Sequence, residues 1–353
     1  MITKITNMNV VEQTHLPSFN ELSREIPLSD SSRKLVLGSR EIICDIIQGR
    51  DKRQLLIIGP CSVHDPDETL KFAKLVANLI EIKQNKYFIV MRVCFDKPRT
   101  KKDWPGFMSD PHLDGTYDTI YGYRKVRKLM TDILDLGIPI ACEMLDMNNY
   151  NIVSDTVSYA WIGARTVTSP VTRILASGIT APVGVKNSNS RDTFEDATNA
   201  LDVITKPGVF TGPGDDGYHC RIPTKGNTYA HIVLRGGKRG PNYHTRHVEK
   251  IRMELISAGF IDRVLIDCSH GNSNGDYKKQ ANIFTNIARR IAKGENGIIG
   301  VMLEVYLEGG KQQVKLGVAG ANTLIKPRLS VTDKCLSFPE FVVAFRKALQ
   351  LLS

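Results

Sequence analysis

Eight short apolar runs separated by amphipathic stretches predict an α/β fold in which eight parallel strands, each followed by a crossover helix, close into a barrel. Two further observations point the same way. Almost every run ends on a residue able to bind a metal or a charge, as expected where strand C-termini converge on one mouth. The length of 353 residues also suits a single (β/α)8 (TIM) barrel of about 250 residues carrying extensions.

Taken in order, residues 1–53 read as an N-terminal extension and 54–353 as the catalytic barrel. The stretch 1–13 is polar and unpatterned. Residues 30–47 carry Leu35, Val36, Ile42, Ile43, Ile46 and Ile47 near helical spacing behind Ser29, Asp30 and Ser31. This predicts a capped helix docked on the barrel or on a neighbouring subunit. The strands follow as LLIIGP into Cys61, FIVM into Arg92, IPIAC into Glu143, YAWIGA into Arg165, PVGV into Lys186, HIVL into Arg235, VLIDCS into His270 and IIGVML into Glu304. Helices are expected over 68–82, 121–136, 150–158, 170–177, 193–204, 245–258, 277–293 and 339–351. Three connections exceed the usual 2 to 6 residues. Those at 94–120 and 308–330 follow strands and belong on the mouth. The third, 206–230, precedes the sixth barrel strand and is expected as an insertion on the bottom face.

Composition narrows the class. Apolar content of 42% and charged content of 24% give enough material for a core and argue against disorder. The seven cysteines are odd in number and lack a framework spacing, as expected where thiols stay reduced. No apolar leader follows Met1 and no uncharged run approaches a membrane span, so a cytoplasmic protein is expected. The net charge of +10 raises nucleic-acid binding, but the basic residues are dispersed rather than set along one face. The densest group, KPRTKK from Lys97, sits in a mouth loop and suits a small phosphorylated ligand better.

Cys61, His270 and Glu304 end strands one, seven and eight, which are neighbours around a closed barrel. A thiolate, an imidazole and a carboxylate in one mouth suit a divalent ion such as Mn, Fe, Co or Zn. Asp333, in SVTDKC, could close the shell. Each residue alone would be read as packing or surface; their joint placement at strand ends favours the metal. Cys268 shares a strand face with His270 if the alternation continues, and packing is the preferred reading for it. Arg92, Lys97, Arg165, Lys186 and Arg235 bring five cations to the same mouth, with Glu143, Glu304 and a few Asp residues the only acids near enough to pair with them. Guanidinium forks bind phosphate or carboxylate bidentately, so two or more anionic groups are expected there. Arg99 and Thr100, on a Pro98-fixed turn, could grip a second phosphate.

These residues lie in the motifs IGPCSVHD, MRVCFDKPRT, DPHLDG, IGART, PVGVKN, HIVLRGG, IDCSHGNS and GVMLE, which occur in that order. The chain resembles the type I, feedback-regulated 3-deoxy-D-arabino-heptulosonate 7-phosphate (DAHP) synthases from about Leu16 to the C-terminus. The resemblance implies a metal-dependent condensation of phosphoenolpyruvate with erythrose 4-phosphate, the first step of the shikimate pathway to aromatic amino acids. It implies Cys61, His270, Glu304 and Asp333 as metal ligands. It implies Arg165, Lys186 and Arg235, with the backbone amides of Gly163 and Ala164, as the phosphoenolpyruvate phosphate site, and Arg92, Lys97 and Lys186 as its carboxylate contacts. Arg99 and Thr100 would hold the sugar phosphate, and Glu143 would position the reacting water. Lys97, Glu143, His270 and Cys61 are the catalytic set. A homodimer or homotetramer and an aromatic amino acid effector are also implied.

The chain departs from the family pattern beside these residues. Thr168, Pro170 and Thr172 stand where Glu, Gln and His are usual, Ser188 where a glycine follows Lys-Asn, and Asp216-Gly217-Tyr218-His219 where Trp-Gly-His-Ser is usual. An acidic pair is missing from the extreme N-terminus, and Tyr150 replaces a common proline. Gly212 leans towards tyrosine as effector, so weak or absent phenylalanine inhibition is expected. The alternative is a paralogue that condenses phosphoenolpyruvate with a different aldose phosphate in a specialised pathway.

Overall fold

A computed structural model describes residues 5–82, 85–189, 194–314 and 325–353. All eight expected strands form, as β1 (Gln54–Gly59), β2 (Tyr87–Arg92), β3 (Ile140–Glu143), β4 (Val157–Ile162), β5 (Val183–Lys186), β8 (His231–Leu234), β9 (Val264–Asp267) and β10 (Ile298–Tyr306). They lie parallel in chain order, and β10 pairs back onto β1 to close the barrel. Two short strands, β6 (Gly208–Pro213) and β7 (His219–Thr224), form a separate antiparallel hairpin. A last strand, β11 (Leu336–Ser337), adds to β10.

Most of the helices begin where the sequence supplies a capping side chain. In the extension, α1 (Phe19–Glu25) starts from a Ser18/Glu21 capping box. The next, α2 (Asp30–Gln48), is capped by Ser29 accepting from Ser32 N and ends on Gly49 in the left-handed region. The barrel helices are α3 (Pro66–Glu81), α4 (Thr119–Asp135), α5 (Met147–Asn151), α6 (Pro170–Ala176), α7 (Glu195–Ile204), α8 (Thr245–Ser257), α9 (Lys279–Ala292) and α10 (Phe338–Leu352). One expected helix is corrected: 150–158 holds only the end of α5, a single 3-10 turn at Ser154–Thr156, and then the first residues of β4. β-branched Val157 and aromatic Tyr159 favour the strand. The expected helix start at Thr193 and residues 315–324 of the last long loop lie outside the described residues. Pro170, one of the departures, occupies the first turn of α6, where its missing N–H costs nothing.

The barrel lumen is filled by Leu55, Ile57, Val90, Tyr159, Trp161, Val233, Leu265, Ile299 and Met302, and Ile43, Ile46 and Ile47 of α2 belong to the same buried cluster. The extension therefore shares the barrel's core. Buried Arg127 of α4 ties the parts together: its Nε donates to Ile26 O at 3.0 Å, and its guanidinium pairs with Asp155 at 2.9 Å. At Gly300 the β9–β10 register shifts and φ is +151°. A Cβ there would lie 1.9 Å from Leu55 O, so the strand can approach β1 only with glycine at this point. No helix among the described residues is long and apolar enough to cross a membrane.

Candidate active site

The C-terminal parts of β1 and β10 and the segment leading into β11 bring Cys61, Glu304 and Asp333 together. Cys61 Sγ and one carboxylate oxygen from each acid lie within 4.8 Å of one another. Cys61 and Glu304 are fully buried, and Asp333 is exposed at the mouth. Burial pushes the Cys61 thiol up to about 12; Glu304 adds to this, while Lys97 opposes it. A divalent cation would reverse that balance, because a coordinating thiol deprotonates. Sulfur with carboxylate oxygens is a donor set that several transition ions accept.

His270 stands beside this group rather than within it. Strand alternation does not deliver it, because β9 ends at Asp267 and His270 has φ +55°. The left-handed turn swings the ring so that Nδ1 meets Asp267 Oδ2 at 3.0 Å and Ser269 Oγ at 2.6 Å. Nε2 then faces Glu304 Oε1 at 3.7 Å. Partners on Nδ1 leave Nε2 as the nitrogen able to ligate. Cys268 is buried packing.

The expected cations are all at the mouth, but two are already paired. Arg92, 1% exposed, donates to Glu304 Oε1 at 2.8 Å, to Cys61 O at 3.2 Å and to Pro60 O at 3.1 Å. Lys186 Nζ lies 2.7 Å from Asp267 Oδ2, and both are buried. Asp267 was not singled out among the acids in the sequence, although it stands three residues before His270 in IDCSH. Burial alone would raise its pKa; Lys186 and His270 hold the carboxyl well below the ordinary range instead.

Of the five, the remaining three meet neutral partners. Lys97 Nζ lies 2.9 Å from Cys61 O and 3.3 Å from Cys61 Sγ. Exposed Arg165 donates to Pro98 O at 3.2 Å, and Arg235 hydrogen-bonds Asn189 Oδ1. Burial lowers the Arg235 pKa; Asp267 opposes this and Arg165 reinforces it, so the two guanidinium groups feel each other. Arg99 is braced by Trp104 O at 2.8 Å and Asp103 Oδ2 at 3.1 Å. With Thr100, Lys97, Arg165, Asp96 and Asn149 it lines a cavity of about 360 Å³. A second cavity of about 270 Å³ is lined by His270, Gln280, Glu304, Lys311 and Asp333. Gly163 and Ala164 begin the turn after β4, with Gly163 O accepting from Thr166 N at 3.1 Å and Val167 N at 2.9 Å. Half-buried Glu143 lies against that turn: a Cβ on Gly163 would sit 2.1 Å from Glu143 Oε1.

At the opposite end of the barrel the 206–230 insertion is the β6–β7 hairpin, and Asp216 to Tyr218 form its turn. Phe210, Ile222, Ser177, Gly178, Asn227 and Tyr229 contribute to a cavity of about 640 Å³ beside it.

The profile of the DAHP synthetase I family matches residues 25–341. The chain belongs to that family. Among its relatives, the Tyr-sensitive phospho-2-dehydro-3-deoxyheptonate aldolase of Salmonella typhimurium is 36% identical, covering 95% of this chain and 92% of the relative. The Corynebacterium glutamicum phospho-2-dehydro-3-deoxyheptonate aldolase is 39% identical over 94% and 90%. The Phe-sensitive enzyme of Escherichia coli K12 is 39% identical over 90% and 89%. The solved phospho-2-dehydro-3-deoxyheptonate aldolase of Francisella tularensis SCHU S4 superposes with a TM-score of 0.91 at 36% identity, covering 98% of each chain. Family membership extends through the extension's α2, so the helix beneath the lumen belongs to the shared architecture.

Proposed function

We propose that this chain condenses phosphoenolpyruvate with erythrose 4-phosphate and water to give DAHP and phosphate, the first step of aromatic amino acid biosynthesis. The observation that carries the reading is the convergence of a metal-capable Cys61, Glu304 and Asp333 group with Arg92, Lys97, Arg165, Lys186 and Arg235 on one mouth. His270 Nε2 would complete the ligand shell. A bound divalent ion (Mn, Fe, Co or Zn) would supply Lewis-acid polarisation of the acceptor aldehyde.

The chain's own residues then have separable tasks. Arg165 and Arg235, with the amides of Gly163 and Ala164, take the donor's phosphate, while Lys186, Lys97 and Arg92 take its carboxylate. Arg99 and Thr100 hold the acceptor's phosphate in the neighbouring cavity. Fixing two anions side by side offsets their repulsion and places C3 of phosphoenolpyruvate against the aldehyde carbon. A carbon–carbon bond forms there, water adds at C2, and phosphate leaves the resulting hemiketal phosphate. Glu143 orients that water across Gly163. The cavity beside the β6–β7 hairpin is the proposed seat of an aromatic amino acid effector, by analogy with the Tyr- and Phe-sensitive relatives. The exposed apolar residues Ile5, Met8 and Val11 of the extension favour an interface between copies of this chain, in a homodimer or homotetramer.

Mass spectrometry of the product formed from phosphoenolpyruvate with a panel of aldose phosphates tests the reading. A seven-carbon product with erythrose 4-phosphate as the best acceptor is expected. Preference for another aldose phosphate would reassign the acceptor, and no condensation with any would overturn the function.

A further inference from the structure

Trp161 is the largest fully buried side chain among the described residues. Alternation along β4 places Tyr159 and Trp161 in the lumen, with Trp161 nearer the mouth. Its register partners are Glu143 on β3 and Gly184 on β5, and the missing side chain at Gly184 leaves room for the aromatic pair: a Cβ there would lie 2.2 Å from Tyr159 Oη. The Trp161 indole N–H has no hydrogen-bond partner among the described residues. Packing and charge therefore fix the ring.

The charges are Arg92 and Lys186. Arg92 Cζ lies 5.3 Å and Lys186 Nζ 5.4 Å from the centroid of the same ring. Each cation is also held by a carboxylate, Glu304 for Arg92 and Asp267 for Lys186. An aromatic face attracts cations through its quadrupole, more strongly where water is excluded. It does so without carrying a full negative charge. A third carboxylate in this position would hold the cations but compete with an incoming anion; the indole ring holds them and leaves their charge available.

We propose that Trp161 is a positioning residue for the donor substrate: its ring sets the spacing of the Arg92 guanidinium and the Lys186 ammonium so that both meet the carboxylate of phosphoenolpyruvate. The inference rests on the site reading given above. Trp161→Phe keeps a weaker ring, and Trp161→Leu keeps bulk without one. The KM for phosphoenolpyruvate rises by about threefold in the first and about tenfold or more in the second. The KM for the acceptor stays within about twofold in both.

The protein has two tryptophans, Trp104 and Trp161, so titration with phosphoenolpyruvate should change the intrinsic fluorescence of the wild type and lose that change in Trp161→Phe. A purely structural role would lower melting temperature and kcat while leaving the phosphoenolpyruvate KM at its wild-type value, and that result overturns the proposal. If Trp161→Leu does not fold, the Phe variant decides alone. Calorimetry separates the two readings. Absence of phosphoenolpyruvate binding to the wild type, supplied with manganese, would refute the site assignment. Tight binding to wild type and variants alike would refute only the role of Trp161.

Discussion

Replacing Asp267 with Asn removes one negative charge at a point where Lys186 has little access to water. The pair is 2.7 Å apart, with side chains 5% and 0% exposed. Deleting one partner of such a buried pair strands the other charge, which costs about 3–5 kcal/mol. With an unfolding entropy of about 2 cal/mol/K per residue over the 353 residues, that loss lowers the melting temperature by about 4–7 °C. Differential scanning calorimetry at pH 7 measures it. Added salt should change the difference little, because the pair is shielded from solvent.

The same argument predicts a recovery. Asp267→Asn combined with Lys186→Met leaves no stranded charge, so the double variant should melt nearer the wild type than Asp267→Asn does. Asp267 also holds His270 Nδ1 at 3.0 Å, so the single variant should bind metal less tightly. An Asp267→Asn protein melting within about 1 °C of the wild type would show that the pair is not the structural element inferred from its geometry.

Three further outcomes are expected. Chelation should abolish condensation and manganese restore it, while Cys61→Ser should lose metal by elemental analysis; full activity after chelation would contradict the metal assignment. Gly163→Ala should displace Glu143, whose Oε1 lies 2.1 Å from the added Cβ; kcat should fall with little change in melting temperature, and unchanged kcat would remove Glu143 from the reaction. Burial lowers the His231 pKa from 6.5 to about 4, so between these values the unfolded chain binds a proton that the folded chain refuses. Stability should therefore fall by up to about 3 kcal/mol as pH drops through that window; His231→Gln should flatten the acid limb of the melting curve, and parallel limbs for the two proteins would refute this.

The barrel was legible because each strand is a compact apolar run and each run stops on a polar residue, a pattern that survives without knowledge of contacts. The candidate residues at or near strand ends were legible for the same reason, since closure brings those ends together. The partners were not. Asp267 sits inside the apolar run VLID and looks like the end of a strand, and only the left-handed turn at His270 brings it under that ring. Trp161 is hidden in YAWIGA, where an aromatic residue is ordinary strand composition. In the β6–β7 hairpin Val209, Phe210 and Thr211 stand consecutively rather than alternating, and Gly208, Gly212, Pro213 and Pro223 interrupt the strand pattern. Its strands pair only with each other, so no barrel periodicity marked them.

The partners also explain how one mouth can hold five cations and remain folded. Arg92 and Lys186 lie deepest, where an uncompensated charge would be most costly, and these are the two with carboxylates at 2.8 and 2.7 Å. Lys97, Arg165 and Arg235 use carbonyl, amide and thiol partners. A neutral partner is exchanged for an anionic oxygen at little cost, because the incoming group makes the stronger, charge-assisted bond. Arg165 and Arg235 moreover repel one another, and burial already disfavours the charge on Arg235. A phosphate bound between them, as proposed, would place an anion against both charges at once. If phosphate binds there as proposed, neutralising either arginine should weaken its binding by about the 1.5–3 kcal/mol of one charge-assisted contact, read by calorimetry, and unchanged affinity would remove that arginine from the site.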